Sequence, residues 1–217
     1  MTDVVPRQQR ADARRNRERV LEAAEAVFST EGASAQIEEV ARRAGVGVGT
    51  VCRNFPTKTA LVEAVLTSIY GSLLEQAEDA LAMGDPALAF RRFVLALSDF
   101  HVRHGALVAQ MTDELVLPET AEPLRDRLRA TIGRLLADAQ AAGAVRDDIG
   151  PADIALLFSG VAHAMQIAGA YRPVLRERFV QLVLDGLRPA DPTPLPGTPL
   201  DFAQLQRMKA AKAQHRR

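Results

Sequence analysis

Between Val48 and Lys58 the chain carries Gly49, Thr50, Cys52, Arg53 and Asn54, short or hydrogen-bonding side chains interrupted by the apolar Val51 and Phe55. Arg and Asn can reach base edges in a DNA major groove, while Thr and Lys suit phosphate oxygens. A second set lies on an apolar stripe. His101 and His104 share a helical face with Phe90, Phe93, Val94, Leu97 and Phe100. Such histidines can line a ligand pocket, bind a metal, or sit in the core with their hydrogen bonds satisfied. A metal site needs at least a third ligand, and the one other core histidine is His163. No metal or cofactor is expected. Met111, Phe158, His163, Met165 and Gln166 mix apolar bulk with a few polar groups, which suits an effector pocket or ordinary core. There is no nucleophile elbow, phosphate loop, HExxH or paired-carboxylate arrangement in a defined context, so the chain reads as a binding protein and not an enzyme.

The elements that must position these residues are helices. Val20, Ala23, Ala24, Val27 and Phe28 recur at helical spacing over 11–31, and Gly32 stops them. Ile37, Val40, Ala41 and Ala44 predict a short second helix ending at Gly45, with Ser34 as its cap. Val51 and Phe55 predict a third before Pro56. A fourth helix starts at the cap Thr57 and runs to about Met83. Asp85-Pro86 opens a helix to about His104. A weaker helix is expected over 105–117 and a longer one over 119–142, followed by helices from Pro151 to Gly169 and from Pro173 to Gly186. No stretch alternates with period two over a useful length, so the fold class is all-α.

The second and third helices, joined through Gly45, form a helix-turn-helix. Ala41 and Ala44 allow a close crossing, Gly45 can take the positive φ of the turn, and Val46 and Val51 fill the angle. The window IEEVARRAGVGVGTVCRNFPTKTALVEAV, residues 37–65, resembles the signature of the TetR/AcrR transcriptional regulators. Its AGV turn, G-T-x-x-x-x-F stretch and Lys58 are in register, and the match extends over about residues 14–66. The resemblance implies that Val48 to Phe55 is the recognition helix. It also implies that Thr50 and Lys58 touch phosphate, assisted by the start of the fourth helix. Val48, Gly49, Cys52, Arg53 and Asn54 complete the expected DNA-binding set. Cys52 stands where the family usually has Tyr, which weakens positioning on the backbone unless Arg53 compensates. Arg14, Arg15, Arg17 and Arg19 form either a solvated helix face or a set of minor-groove and phosphate contacts.

Net charge is zero, but it is unevenly placed: +3 over residues 1–20, −6 over 61–199 and +4 over 200–217. Basic ends around an acidic middle suit DNA contacts confined to one end. The lone cysteine excludes an internal disulfide and fits a reducing cytoplasm. No apolar run approaches a membrane span, and no signal core follows the N-terminal charges.

The last two long helices are apolar nearly all round. On the first, Ile154, Leu157, Phe158, Val161 and Met165 make one face, with Leu156, Gly160, His163 and Ile167 opposite and a ridge of Gly160, Ala164 and Ala168 between. On the second, Leu175, Phe179, Val180, Leu182, Val183, Leu184 and Leu187 cover more than half the circumference. Such helices need burial on both sides. Leu156, Gly160, Ala164, Ile167, Phe179, Val183 and Leu187 are therefore assigned to a homodimer interface, in keeping with the four-helix bundle through which TetR-like proteins pair. The chain divides into a DNA-binding domain with a basic arm (1–58), a helical regulatory and dimerisation domain (59–188), and a Pro-rich linker with a basic tail (189–217). The expected activity is repression: a dimer on a palindromic double-stranded operator, released by a small apolar effector. The alternative is an effector-independent DNA-binding protein, or an activator controlled by a protein partner.

Overall fold

The computed structural model describes residues 7–32, 34–114, 122–166, 168 and 171–214, and among them every regular element is a helix. In chain order these are α1 (Arg7–Glu31), α2 (Ile37–Ala44), α3 (Val48–Asn54), α4 (Lys58–Leu81), α5 (Pro86–Glu114), α6 (Glu122–Ala141), α7 (Pro151–Gln166), α8 (Arg172–Gly186) and α9 (Phe202–Gln214). They divide into two compact units. One holds the residues up to 68 and those of α5 from 106; the other holds 69–105 and the residues from 122 onward.

In the first unit α1 packs on both α2 and α3. The apolar period of α1 is its buried face: Val20, Ala24, Val27 and Phe28 are almost wholly removed from solvent. Val40, Ala41 and Ala44 of α2, Val51 of α3, Phe55, and Leu61, Val62, Val65 and Leu66 of α4 are buried too. Small residues on α2 let it cross close to its neighbours, and the β-branched Val51 fills the corner. Thr57 caps α4 as its sequence predicts, its Oγ1 accepting the Ala60 N–H at 3.0 Å. Ser34 does not cap α2. Its hydroxyl donates to the Glu31 carbonyl, and Gln36 occupies the cap position without a side-chain bond.

In the second unit Asp85 caps α5, one carboxylate oxygen accepting the N–H groups of Ala87 and Leu88. The α5 stripe is buried at Phe90, Phe93, Val94, Leu97 and Phe100, alongside Leu128, Ile132, Leu135 and Leu136 of α6 and Ile154, Phe158, Val161 and Met165 of α7. One expectation is corrected. The helices predicted over 86–104 and 105–117 are one, α5, continuous through Gly105. Gly105 lies within it and faces α7, where a Cβ would stand in ordinary contact with the Ala162 Cβ at 3.5 Å.

The Pro-rich stretch after Pro189 is extended and bonded to the second unit. Arg146 donates to the Thr193 carbonyl at 2.6 Å, and carboxylates of Asp148 and Asp153 accept the N–H groups of Leu195 and Leu200. The Ala152 N–H closes on the Leu200 carbonyl at 3.2 Å. Proline removes backbone donors from this stretch, and two of those that remain, at Leu195 and Leu200, are met by aspartates. Then α9 begins with a reciprocal cap between Asp201 and Gln204 and packs against α7, its Phe202 lying under Arg129 of α6.

Candidate nucleic-acid interface

The site is built from the turn outward. Gly45 takes φ 65°, the left-handed conformation that ends α2, and its N–H donates to the Arg42 carbonyl. The Val46 N–H returns to the Ala41 carbonyl at 3.0 Å, which redirects the chain into α3. The Gly47 carbonyl accepts from Thr50 and Val51, starting α3. Phe55, in an extended conformation before Pro56, ends it. Val51 and Phe55 anchor α3 from beneath, so its other face is turned out by default.

That outer face holds Val48, Gly49, Cys52 and Arg53, all exposed, with Thr50 half-buried at its edge. Arg53 lies back along its own helix, Nε donating to the Gly49 carbonyl and Nη2 to the Thr50 hydroxyl, both at 3.2 Å. Exposed bonds of that length cost little to release. Asn54 differs from its expected place. It is half-buried, and its amide donates to the Thr50 carbonyl at 2.8 Å, which locks the last turn of α3. Lys58 stands half-buried at the first position of α4, where the opening N–H groups have no intrahelical acceptor. Around this face, Arg42 pairs with Glu39 and holds that carboxyl below its usual range.

The α1 arginines separate into two kinds. Arg14 and Arg15 are exposed and paired along their own helix with Glu18 and Asp12. Arg17 and Arg19 instead reach across to the helix-turn-helix: the Arg17 guanidinium lies 4.6 Å from the Phe55 ring centre, and Arg19 donates to the Ala44 carbonyl at 2.5 Å. Neither contact was legible from composition, because four arginines in six residues look alike on a helix.

The second unit holds part of the expected pocket set. His104, Phe158 and Met165 are buried, His101 is half-buried with its Nδ1 on the Leu97 carbonyl at 2.9 Å, and Phe100 sits 5.4 Å from both His104 and Tyr70. Burial, with the Arg103 charge nearby, lowers the His104 pKa to about 4, so its ring is neutral at physiological pH. His163 departs from the set, being exposed on α7. The side chains of Met111 and Gln166, and residue Ile167 altogether, lie outside the described residues. Sequence reasoning passed over Tyr70 and Ser98. The Ser98 hydroxyl is buried without a hydrogen-bond partner, which no periodicity could have revealed. Among the described residues no group of three His, Cys, Asp or Glu is placed to hold a metal. Likewise, no described helix is long and apolar enough to cross a membrane.

Of the expected interface residues, Leu156, Gly160 and Phe179 are exposed, while Ala164 and Val183 are half-buried. Leu157, Val174 and Leu182, also on α7 and α8, are exposed by 45%, 69% and 58%, far more than core residues are. Leu157, read on the other apolar face of α7, is thus exposed as well. Leu187 is the reverse. It is buried within its own chain, and its carbonyl accepts the Arg146 N–H.

The chain is similar to known proteins over most of its length. Residues 20–65 match the family described as bacterial regulatory proteins, tetR family, and residues 85–189 match the transcriptional regulator SbtR-like C-terminal domain. The chain is 32% identical over 152 residues to the HTH-type transcriptional repressor NicS of Pseudomonas putida, a match spanning 66% of this chain and 71% of that one. Among solved structures, a TetR transcription regulatory protein from Mycobacterium vanbaalenii is 39% identical, with a TM-score of 0.61 over 83% of this chain and 99% of that one. The TetR transcriptional regulator SCO0520 from Streptomyces coelicolor is 34% identical, with a TM-score of 0.61 over 80% and 99%.

Proposed function

This chain belongs to the TetR family of bacterial transcriptional regulators, and from that premise we propose that it is a cytoplasmic, homodimeric repressor of a palindromic operator, released by a small effector. The observation that carries the reading is the outer face of α3: Val48, Gly49, Cys52 and Arg53 exposed together, with Thr50 and Lys58 at its margin. Two such helices in one dimer would enter successive major grooves about 34–36 Å apart. Arg53, freed from its own helix, reads a base edge. Thr50, Lys58 and the opening amides of α4 hold phosphate, and Cys52 adds a small apolar contact. Arg14 and Arg15 approach the DNA backbone from α1. Asn54 stands at the end of the same helix, where its amide holds the Thr50 carbonyl and its Oδ1 remains an acceptor for a base edge.

The functional division follows the sequence: a DNA-binding domain to residue 58, a regulatory and dimerisation domain to 188, and a C-terminal tail. Pairing uses the exposed apolar residues of α7 and α8, Leu156, Leu157, Val174, Phe179 and Leu182, which form a surface that water opposes and a second copy would cover. The effector sits in the second unit against Phe158, Met165 and the neutral His104. A largely apolar molecule with one hydrogen-bonding group would satisfy the orphaned Ser98 hydroxyl, which otherwise costs stability. It releases DNA by preferring the state in which the two heads no longer match the groove spacing.

Genomic fragments retained by the purified chain, then titrated with salt, test this reading. A two-fold symmetric sequence bound with a steep salt dependence is expected, and in Lys58→Ala the slope falls by about one with a uniform loss of affinity. Retention of no preferred sequence by the effector-free chain would overturn it.

A further inference from the structure

We infer that Arg17 and Arg19 of α1 are positioning residues that fix how far α3 projects, and not phosphate contacts. The inference rests on α3 being the DNA-reading helix. Residues two apart on a helix point to opposite sides, and here each side reaches a different end of the helix-turn-helix.

Arg19 goes to its turn. Its Nη2 lies 2.5 Å from the carbonyl of Ala44, the last residue of α2, and a Cβ on Gly45 would come within 2.9 Å of the same nitrogen. The final carbonyls of a helix lack partners within it and carry the negative end of its dipole, so a guanidinium there is both donor and counter-charge. The carbonyls of Ala41 and Arg42 are taken by Val46 and Gly45, and Arg19 takes that of Ala44. The close approach to Gly45 ties the left-handed turn residue to α1.

Arg17 goes to the stop. Its guanidinium lies over the ring of Phe55, the buried residue that ends α3. Such a cation–π contact adds rigidity at the edge of a core. With the turn that leads into α3 fixed through Arg19 and the residue that ends α3 held by Arg17, the short helix is braced on both sides. A seven-residue helix needs that, since helices this short are not stable by themselves. Base reading is sensitive to displacements well under an ångström, so loosening either pin would affect discrimination before it affected folding.

The test uses the full-length chain with Arg19→Gln and Arg17→Gln. One arm needs no DNA: amide hydrogen exchange of residues 46–55 should rise about tenfold in either variant, with the thermal midpoint and the exchange of α4 nearly unchanged. The other arm compares the duplex selected by the wild-type chain with a random-sequence duplex of equal length. Discrimination between them should fall about tenfold while the salt slope stays the same. Joining Arg17→Gln to Phe55→Leu should cost little more than either change alone. Unchanged exchange in α3 would overturn the inference. So would equal losses on both duplexes with a slope lowered by about one, which marks a phosphate contact. Failure of the wild-type chain to select any duplex would overturn the groove assignment instead, and the exchange arm would still judge the pins.

Discussion

A buried neutral histidine makes a residue report on pH. His104 is 8% exposed, beside Phe100, and its pKa is lowered to about 4 from an ordinary 6.5. As pH falls from 6.5 toward 4, the unfolded chain binds a proton that the folded one resists. The contribution of His104 to stability is therefore fully present above about pH 6.5 and is lost below it. At pH 5 the loss is about 2 kcal/mol, worth roughly 4–8 °C in a chain of this size. The thermal midpoint of His104→Gln should fall less between pH 7 and pH 5 than that of the wild type, by about that margin. Equal falls measured by scanning calorimetry would mean that His104 does not stay neutral. The histidine stripe was legible from residue spacing, and so was the exposure of Arg53. The commitment of Asn54 to its own helix was not, because an i to i−4 amide bond and a base contact need the same residue type at the same place.

At the scale of elements, what the sequence reveals depends on whether the signal is local. Caps at Thr57 and Asp85 and the turn at Gly45 are written within four residues, and each forms as read. Gly105 misleads because a glycine inside a helix looks, in sequence, like one that ends it. The Pro-rich strap misleads for another reason. Its partners, Asp148 and Asp153, lie 47 residues away, and backbone-to-carboxylate bonds at that distance leave no periodic trace. The Arg146 guanidinium beside Asp148, with the Leu195 N–H, holds that carboxyl far below the usual range, so the clasp stays charged at any physiological pH. The contact hinges on Gly150: a Cβ there would stand 2.1 Å from the Leu200 carbonyl oxygen, which leaves no room for one. Gly150→Val should release the strap at a cost of about 1–3 kcal/mol. Limited proteolysis should then cut within 190–200 many times faster while the rest of the chain stays resistant. Unchanged cleavage would show that the strap is held from elsewhere.

The whole molecule is neutral only in sum. Acidic residues fill the middle of the chain and basic ones its ends. That limits non-specific adhesion to DNA to the segments meant to approach it. Leu157, Phe179 and Leu182 are exposed on α7 and α8 and form part of the proposed dimer face. Leu182→Glu places a charge in the proposed interface and should shift analytical ultracentrifugation from dimer to monomer at micromolar concentration. A dimer of unchanged strength would move the interface off these helices. The greasy circumference of these helices was legible, but the division between core and partner was not. Leu157 is exposed and Leu187 buried within its own chain, a distinction that helical-wheel geometry alone does not make.

The central claim is that α3 reads DNA through Arg53 as one half of a symmetric pair. The most direct measurement is selection from a random duplex library by the wild-type chain and by Arg53→Ala, side by side. The wild type should yield a two-fold symmetric sequence with half-sites about one helical turn apart. Arg53→Ala should lose preference at the same base pair in each half, with a penalty of about 1–3 kcal/mol on the wild-type duplex. Recovery of the same sequence with the same preference by both proteins, or of no sequence by either, would contradict the claim.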